Sequence, residues 1–213
     1  MFRPLSFSVS AILLAAGAAA AIRGAAAEAQ QVGAVDKVEH TAEVVSANAA
    51  TAAATGTPVH LNDVLRTGPK GRLQVTFSDG SVLTLGEKAS VTIDRYLYDS
   101  EAKVGKTVLL AAKGAFRYAS GRIKQFKPGA VQVATPVAVI GVRGTEFWGG
   151  PIGEAYGVLL LEGEITVTNR AGSVTLAVRG QGTDIGSADE APGPPKAWGD
   201  AKIARAVESV AFH

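Results

Sequence analysis

The stretch Pro136–Gly150 reads PVAVIGVRGTEFWGG, an apolar run with the composition of a β-strand and one arginine inside it. Arg143 stands between Val142 and Gly144, and a guanidinium is costly to bury unless a carboxylate or several carbonyls meet its planar fork. The glycines at 141 and 144 are typical of a β-bulge or of a close approach between two backbones. The stretch therefore predicts a corner at which one strand changes direction.

Two interpretations of the arginine are open. In the first, Arg143, Gly144 and Glu146 form a structural clamp in which the guanidinium points inward. The candidate carboxylate partners are Glu146, Glu162 and Glu164. In the second, Arg143 recognises a ligand or a partner. The sequence favours the clamp, because ion-pair networks with a purely structural role are common.

The rest of the chain follows the two-residue period of a β-strand. Residues 72–77 and 81–85 alternate polar and apolar side chains, and Asp79-Gly80 between them predicts a tight hairpin turn. Turn residues separate further runs of this kind, which lie at residues 37–45, 90–93, 106–112, 115–118, 131–134, 155–161, 164–168, 173–178 and 182–185. Short strands at such regular spacing predict an all-β fold.

Two segments of the chain also resemble each other. Residues 108–118 and 158–167 each contain an apolar strand, a charged residue, a glycine and a second strand. Such similarity suggests a core assembled from stacked hairpins. The fold is therefore predicted as a sandwich or roll, or else as a solenoid-like stack of short strands and hairpins, with one short C-terminal helix.

Four segments differ in composition. Residues 1–29 have a basic start, an apolar centre and an A-x-A site of small residues, which together describe a secretory signal peptide. Residues 30–186 form the predicted β-domain. Residues 187–197 contain three prolines and predict a stiff linker. Residues 198–213 predict the C-terminal helix.

The C-terminal helix is predicted from apolar residues at helical spacing, which are Ile203, Ala206, Val207 and Val210. Docking of this stripe on the β-domain is favoured over partner binding, because amphipathic helices usually bury their apolar face within their own fold. Residues 46–57, SANAATAAATGT, are small and polar and predict a long surface loop.

Charge and cysteine content exclude several classes of protein. The chain has 213 residues, with 21 Lys and Arg, 19 Asp and Glu, and no cysteine. Loss of Arg3, Arg23 and Glu28 with the signal peptide leaves a net charge of +1. This balance gives no electrostatic case for nucleic-acid binding, and the absence of cysteine excludes a small disulfide scaffold. The signal peptide predicts a periplasmic or secreted protein.

Four motifs in order carry a resemblance to a known family. They are Asn62-Asp63-Val64-Leu65-Arg66-Thr67-Gly68, then Phe77-Ser78-Asp79-Gly80-Ser81, then Thr135-Pro136-Val137-Ala138 leading to Gly141-Val142-Arg143-Gly144-Thr145-Glu146-Phe147, then Leu161-Glu162-Gly163. Over about residues 35–185 the chain thereby resembles the FecR domain. The resemblance implies an extracytoplasmic β-domain of envelope regulators of iron-uptake transcription.

The chain also departs from that pattern. The resemblance implies that full-length FecR-type regulators add a cytoplasmic anti-sigma segment, a membrane helix and a further periplasmic domain. Here the export signal is at the N-terminus and no second apolar segment is long enough to span a membrane. We therefore expect the membrane and cytoplasmic parts of any signalling system to be other chains. Asn62 stands where the family usually has glycine, and asparagine tolerates left-handed backbone.

Trp148 is the first candidate for binding. It precedes Gly149-Gly150, and an exposed tryptophan on a glycine-rich loop would suit contact with a protein or a sugar. Packing of Trp148 in the core is the alternative.

The second candidate is the basic segment, residues 113–127, KGAFRYASGRIKQFK, with five basic residues and no acidic one. Its candidate binding residues are Arg117, Arg122, Lys124, Phe126 and Lys127. Such a segment would bind an anionic envelope polymer, lipid headgroups or an acidic protein surface. A solvated hairpin tip with its aromatic side chains turned inward is the alternative, and the sequence favours it.

Catalytic and metal-binding motifs are missing from the sequence. His40, His60 and His213 are not spaced for a shared metal site, and no nucleophile elbow, H-E-x-x-H or phosphate-binding glycine loop is present. We expect a non-enzymatic protein with no cofactor and no metal. The alternative is a hydrolase whose site no motif reveals.

The sequence thus predicts an exported binding or sensor domain that recognises a protein or glycan in the cell envelope as part of signal transduction. It predicts contact with the membrane only through partners and no binding of nucleic acid, and it leaves the oligomeric state open. The alternative is an envelope-structural module that binds peptidoglycan, lipopolysaccharide or another anionic polymer.

Overall fold

The computed structural model describes residues 29–47, 49–126 and 129–213. It places their strands in one curled β-sheet, with an α-helix near the C-terminus. The predicted all-β fold with one short C-terminal helix is confirmed. The predicted signal peptide lies outside the described residues, apart from Ala29.

The first half of the chain forms eight strands. They are β1 Gln31–Glu39, β2 Ala42–Ser46, β3 Ala49–Ala52, β4 Pro58–His60, β5 Val64–Thr67, β6 Arg72–Phe77, β7 Val82–Leu85 and β8 Ser90–Asp99. The alternation predicted for β6 is confirmed, because Leu73, Val75 and Phe77 are buried while the residues between them are half-buried.

The second half forms eight more strands, a 3₁₀ turn and a helix. They are β9 Val104–Lys113, β10 Phe116–Ala119, the 3₁₀ turn Arg122–Gln125, β11 Val131–Ala134, β12 Val139–Ile152, β13 Ala155–Thr168, β14 Ser173–Leu176, β15 Gln181–Ile185, β16 Lys196–Ala197 and α1 Asp200–Glu208.

The β12–β13 hairpin is the part of the sheet to which both flanks attach. Each of its strands is 14 residues long, and the two pair antiparallel over their whole length. The first half of β12 also pairs with β11, whereas its second half pairs with β10. The register shifts between Arg143 and Glu146, and the predicted corner is therefore confirmed as a bulge between the two halves.

Two flanks of the sheet extend from this corner. The β11 flank continues through β9, β8, β5 and β2 to β3, and the β10 flank continues through β7, β6 and β1 to β4. The pair β9–β11 is parallel. The strands β14 and β15 pair with β13, and β16 pairs with β15.

One hydrophobic core lies between the two flanks. It contains Ile93, Leu109 and Ile140 from the β11 flank together with Leu73, Leu85 and Phe147 from the β10 flank. Full burial of each such side chain stabilises the fold by about 1.5–3 kcal/mol. Because both flanks supply one core, the curled sheet is a roll.

Some local predictions were wrong. Residues 37–45 form two strands separated by a turn, in which His40 has a positive φ of 54°. The predicted loop 46–57 contains the edge strand β3, whose four residues are exposed. Alanine and threonine there give no polar–apolar alternation, because neither face of β3 is buried.

The C-terminal segment packs on the second half of the β12–β13 hairpin. Trp198, Ala206 and Val210 form a buried cluster with Trp148 and Leu159. Of the two alternatives for the C-terminal helix, the structure shows docking on the β-domain. The predicted stiff linker ends in β16, which pairs with β15 and brings Trp198 onto the sheet.

Gly163 faces the bulge from β13, with a positive φ of 81°, and a Cβ placed on it would overlap the carbonyl oxygen of Gly144. We expect Gly163→Ala to lower the free energy of unfolding by about 3 kcal/mol or more, because alanine at positive φ costs about 1–2 kcal/mol and the overlap adds to it. Urea unfolding measures the change.

Gly153→Ala is the matched control. Gly153 also has a positive φ, of 64°, but nothing lies within 4 Å of a Cβ placed there. We expect Gly153→Ala to lower the free energy of unfolding by only about 1–2 kcal/mol, which is the cost of a left-handed backbone at alanine. Equal losses in the two variants would show that the corner is not closely packed.

Candidate functional site

The corner of β12 is held by a hydroxyl and two glycines. Gly144 and Gly163 both have positive φ, of 65° and 81°. Buried Thr145 lies between the strands, where its Oγ1 donates to the carbonyl of Glu164 at 2.6 Å and accepts from the Glu164 N–H at 3.2 Å. The Thr145 N–H donates to Ser120 Oγ at 3.1 Å. A side chain thus replaces the backbone pairing that the bulge interrupts.

Arg143 does not point inward, so this part of the predicted clamp is wrong. Its side chain is 67% exposed and lies 3.7 Å from Glu164 on the facing strand. The neighbouring Val142 and Thr145 occupy the buried positions. The guanidinium therefore stays in water, which avoids the cost of burying it. An exposed pair of this kind stabilises a protein by about 0–1 kcal/mol.

Glu146 forms an ion pair with Arg117 and not with Arg143. Two nitrogens of the Arg117 guanidinium, Nε and Nη2, contact Glu146 Oε1 across the β10–β12 pair. Both side chains remain partly exposed. The structure thus divides the predicted clamp into two separate surface pairs, and the Arg117 charge is already neutralised by a neighbour.

Trp148 is buried, so the expected exposed tryptophan is corrected. Only 1% of it is exposed, its Nε1 donates to Ser209 Oγ at 3.0 Å, and its ring meets Trp198 edge-on at 6.2 Å. A Cβ on Gly150 would lie 2.7 Å from the Cα of Ala115. Close packing between strands, and not loop freedom, therefore explains the glycine beside Trp148.

The basic segment is distributed over three elements. It runs from the end of β9 through β10 into the 3₁₀ turn. Arg122 is exposed at the start of that turn, and the ring of Phe126 stacks on Tyr98 at 5.8 Å. Lys124 lies within the turn, and Lys127 lies outside the described residues. The predicted hairpin tip is therefore a strand followed by a compact turn.

The 3₁₀ turn packs against the Asp79-Gly80 hairpin turn, in which Asp79 is buried while Gly80 is exposed. Asp79 Oδ1 accepts from the N–H and Oγ of Ser81, at 3.1 and 2.6 Å, and from the Tyr96 hydroxyl at 3.2 Å. Its Oδ2 accepts from the Ile123 N–H at 3.4 Å. The hairpin and the local hydrogen bonds were predicted, but the burial was not, since turns usually face solvent.

Burial raises the pKa of three tyrosines above the ordinary value of 10.0. Burial is the main cause for Tyr96, and the charge of Asp79 adds to it. It is also the main cause for Tyr118 and Tyr156. Each side chain therefore keeps its proton to higher pH in the folded protein than in the unfolded chain.

An open pocket of about 470 Å³ lies at one end of the β11 flank. Its charged side chains are Glu43, Arg66, Lys88 and Lys113, and it is also lined by the hydroxyl residues Thr41 and Ser90. These residues are far apart in the sequence and meet only through strand register. Sequence reasoning therefore missed this pocket, which we call the basic pocket.

Neither a metal site nor a membrane-spanning helix is found among the described residues. Within them, no group of three or more His, Asp or Glu side chains is placed to hold a metal ion. No helix in the same part of the chain is both long and apolar enough to cross a membrane.

Residues 63–166 match the family model for the FecR protein. The chain contains a FecR-type domain. The match runs from the start of β5 to near the end of β13, and it includes the corner, the buried Asp79 turn and much of the basic pocket. The FecR-type domain of this chain is a regulator domain of signal transduction. The C-terminal segment lies outside the matched residues.

Two solved structures were also found to be similar to the chain. Both are of a protein from Parabacteroides distasonis described as a "putative anti-sigma factor", with TM-scores of 0.46 and 0.45 and 20% sequence identity. Each comparison covers 57% of this chain and 53% of that one, so the chain spans about half the length of its structural relative. No curated protein sequence matches the chain significantly.

The hydroxyl of Tyr96 is tied into the buried turn, because it also accepts from the Asp79 N–H at 2.9 Å. We expect Tyr96→Phe to lower the free energy of unfolding by about 1–3 kcal/mol, because it leaves the buried Asp79 N–H without a partner and removes one of the donors to the Asp79 carboxylate. Urea unfolding at neutral pH gives this value.

Tyr118→Phe is the matched control. The Tyr118 hydroxyl is buried and has no hydrogen-bond partner in the described part of the chain. We expect removal of this hydroxyl to leave the free energy of unfolding unchanged or to raise it slightly. Because the raised pKa makes unfolding release a proton above about pH 10, stability falls as the pH rises there, and Tyr118→Phe should lessen that fall. A large loss in Tyr118→Phe at neutral pH contradicts this assignment.

Trp198 fastens the C-terminal segment to the sheet. A Cβ on Gly157 would lie 2.7 Å from the Trp198 ring, and one on Gly182 would overlap it. We expect Trp198→Ala to lower the free energy of unfolding by about 3–5 kcal/mol and to shift the emission of the remaining Trp148 to longer wavelength. Val178→Ala, at a side chain 61% exposed, is the control and should change stability by less than about 0.5 kcal/mol. An unchanged emission maximum in Trp198→Ala would mean that the segment does not cover Trp148.

Proposed function

We propose that the chain is an exported binding or sensor module that recognises a protein or glycan in the cell envelope and passes this recognition to a signalling system. The observation that carries the proposal is the match of residues 63–166 to the FecR family.

Export is supported by the composition of the N-terminus. A basic start, an apolar centre and small residues up to Ala29 are the parts of a secretory signal peptide. The described residues use packing and backbone pairing for stability, since the chain has no cysteine to oxidise. Such a domain folds equally well in an oxidising compartment.

The backbone at Arg122 is held in place by hydrogen bonds to Asp79, which favours this turn as a surface for partner binding. The N–H groups of Arg122 and Ile123 both donate to Asp79, at 2.9 Å to its carbonyl and 3.4 Å to its carboxylate. Ile123 is fully buried under the turn. Arg122 is thereby presented on a fixed turn, which reduces the conformational entropy that binding would cost. With Trp148 buried and Arg117 paired, Arg122 and Phe126 are the binding candidates with described side chains.

A photo-crosslinking residue at position 122, in the full-length chain expressed in its own cells, tests this proposal. We expect a discrete adduct with an envelope protein or glycan, in a fraction whose N-terminus has been cleaved near Ala27 or Ala29. Crosslinking gels and mass spectrometry of the mature N-terminus measure the two properties. The control carries the probe at Thr175, an exposed position on β14.

The outcomes separate export from binding. An uncleaved chain that stays in the cytoplasm contradicts the proposed location. A cleaved chain with the same adducts from positions 122 and 175 contradicts the proposed surface. If position 122 gives adducts to glycan and position 175 does not, the partner is a glycan and not a protein.

A second function, an envelope-structural module that holds an anionic polymer, is favoured by one observation. The basic pocket carries three cationic side chains against one carboxylate. In this case the same domain anchors itself to a polymer without relaying a signal. Loss of envelope integrity in a deletion strain, with signalling unchanged, would distinguish this function from the first.

A further inference from the structure

Four side chains of the basic pocket lie in one row across the sheet. Glu43 faces Arg66 on the next strand, Arg66 faces Ser90, and Ser90 faces Lys113. Directly opposite residues share one face of a sheet. This row lies on the outer face, because the adjacent Val44, Leu65 and Val91 are buried in the core. Neighbouring strands are about 4.8 Å apart, which puts Arg66 and Lys113 about 10 Å apart at their backbones.

Lys88 closes the pocket from the turn before β8. Its backbone has a positive φ of 51°, and its N–H donates to the Gly68 carbonyl at 3.0 Å. Buried Thr67 fixes the floor, since its Oγ1 donates to the Gly86 carbonyl at 2.6 Å and accepts from the Ala89 N–H at 2.8 Å. The pocket is thus built on fixed backbone.

Within the described part of the chain, one of the three cations of the pocket has a carboxylate partner. Arg66 lies 3.5 Å from Glu43, but no carboxylate in the described ranges comes within ion-pair distance of Lys88 or Lys113. The Glu87 carboxylate accepts from the Lys70 N–H at 3.0 Å. This bond lowers the pKa of Glu87, and the charges of Lys88, Arg72 and Lys70 lower it further.

We propose that the basic pocket binds an acidic saccharide, a sugar that carries a carboxylate or a phosphate. Lys88 and Lys113 meet the anionic group. The hydroxyls of Thr41 and Ser90 and the carboxylate of Glu43 are placed to bond sugar hydroxyls. A volume of about 470 Å³ lies within the range of small-molecule sites and suits one or two sugar residues.

A peptide that binds by strand addition has little room in this place. Such a peptide needs an unpaired strand edge. At the row, β2, β5 and β8 are paired on both sides. The pairing of β9 with β11 ends at Leu110, which leaves three residues of β9 open on that side, a short edge for a peptide strand. Recognition in the pocket therefore depends mainly on side chains, and a mixture of cations, hydroxyls and one carboxylate suits a sugar ring with an acidic substituent.

This inference rests on the proposed binding function and adds a ligand class and a site to it. The test uses the purified mature chain, residues 30–213, and calorimetry with hexagalacturonate, mannose 6-phosphate and neutral maltohexaose. We expect saturable binding of one or both acidic probes and none of maltohexaose. The two acidic probes show whether the anionic group is a carboxylate or a phosphate.

The double variant Lys88→Gln/Lys113→Gln should weaken that binding by about tenfold for each lysine removed. The matched control is Lys106→Gln, which removes one exposed lysine from β9 outside the pocket and should change affinity by less than about twofold. Thermal melts of all variants check that each remains folded.

Four results would each overturn the inference. The first is that neither acidic probe binds. The second is that binding survives the double variant, and the third is that it falls as much in Lys106→Gln. The fourth is that hexaglutamate binds as tightly as the acidic sugars, which would make an acidic peptide the ligand. All four concern the purified chain, so they leave the export and crosslinking tests unaffected, and failure of those tests leaves this measurement valid.

Discussion

The backbone at the corner of β12 is the constraint on which the rest of the structure depends. Gly144 and Gly163 adopt left-handed conformations on facing strands, and Thr145 supplies through its hydroxyl the hydrogen bonds that the bulge removes. This arrangement lets one hairpin belong to two flanks. Because those flanks share one core, the direction of the strand at a single point decides whether the apolar faces meet.

The buried Asp79 turn has a related role on the β10 flank. It gathers the β6–β7 hairpin, Tyr96 from β8 and the 3₁₀ turn around one carboxylate. Hydrogen-bond donors from three separate segments satisfy that carboxylate, so the two flanks are joined by polar contacts as well as by the core. The surface that carries Arg122 inherits its rigidity from this cluster.

The sequence predicted the features that follow from period and local chemistry. These are the all-β fold, the Asp79-Gly80 hairpin, the strand corner and the apolar stripe of the C-terminal helix. The inward arginine was wrong, because Ile140 and Val142 already occupy the buried positions of β12 and Arg143 follows them on the outer face; the register shift comes only after Arg143. The sequence left Trp148 open between an exposed binding site and the core, and the core interpretation holds, because Gly149 and Gly150 after it allow close packing against Phe116 and Ala115. The basic pocket depends on register across four strands, which one sequence does not reveal.

The path between β9 and β11 has a consequence for how the protein forms. After Lys113 the chain leaves the β11 flank, adds β10 to the other flank, and returns at Val131 to lie parallel to β9. That parallel pair closes only once the excursion around the core is complete. Topologies dominated by distant pairings fold in milliseconds to seconds and expose apolar strand edges meanwhile. Until it closes, β9 and β11 lack a partner on the sides that face each other, and we expect closure of this loop to set the pace of folding.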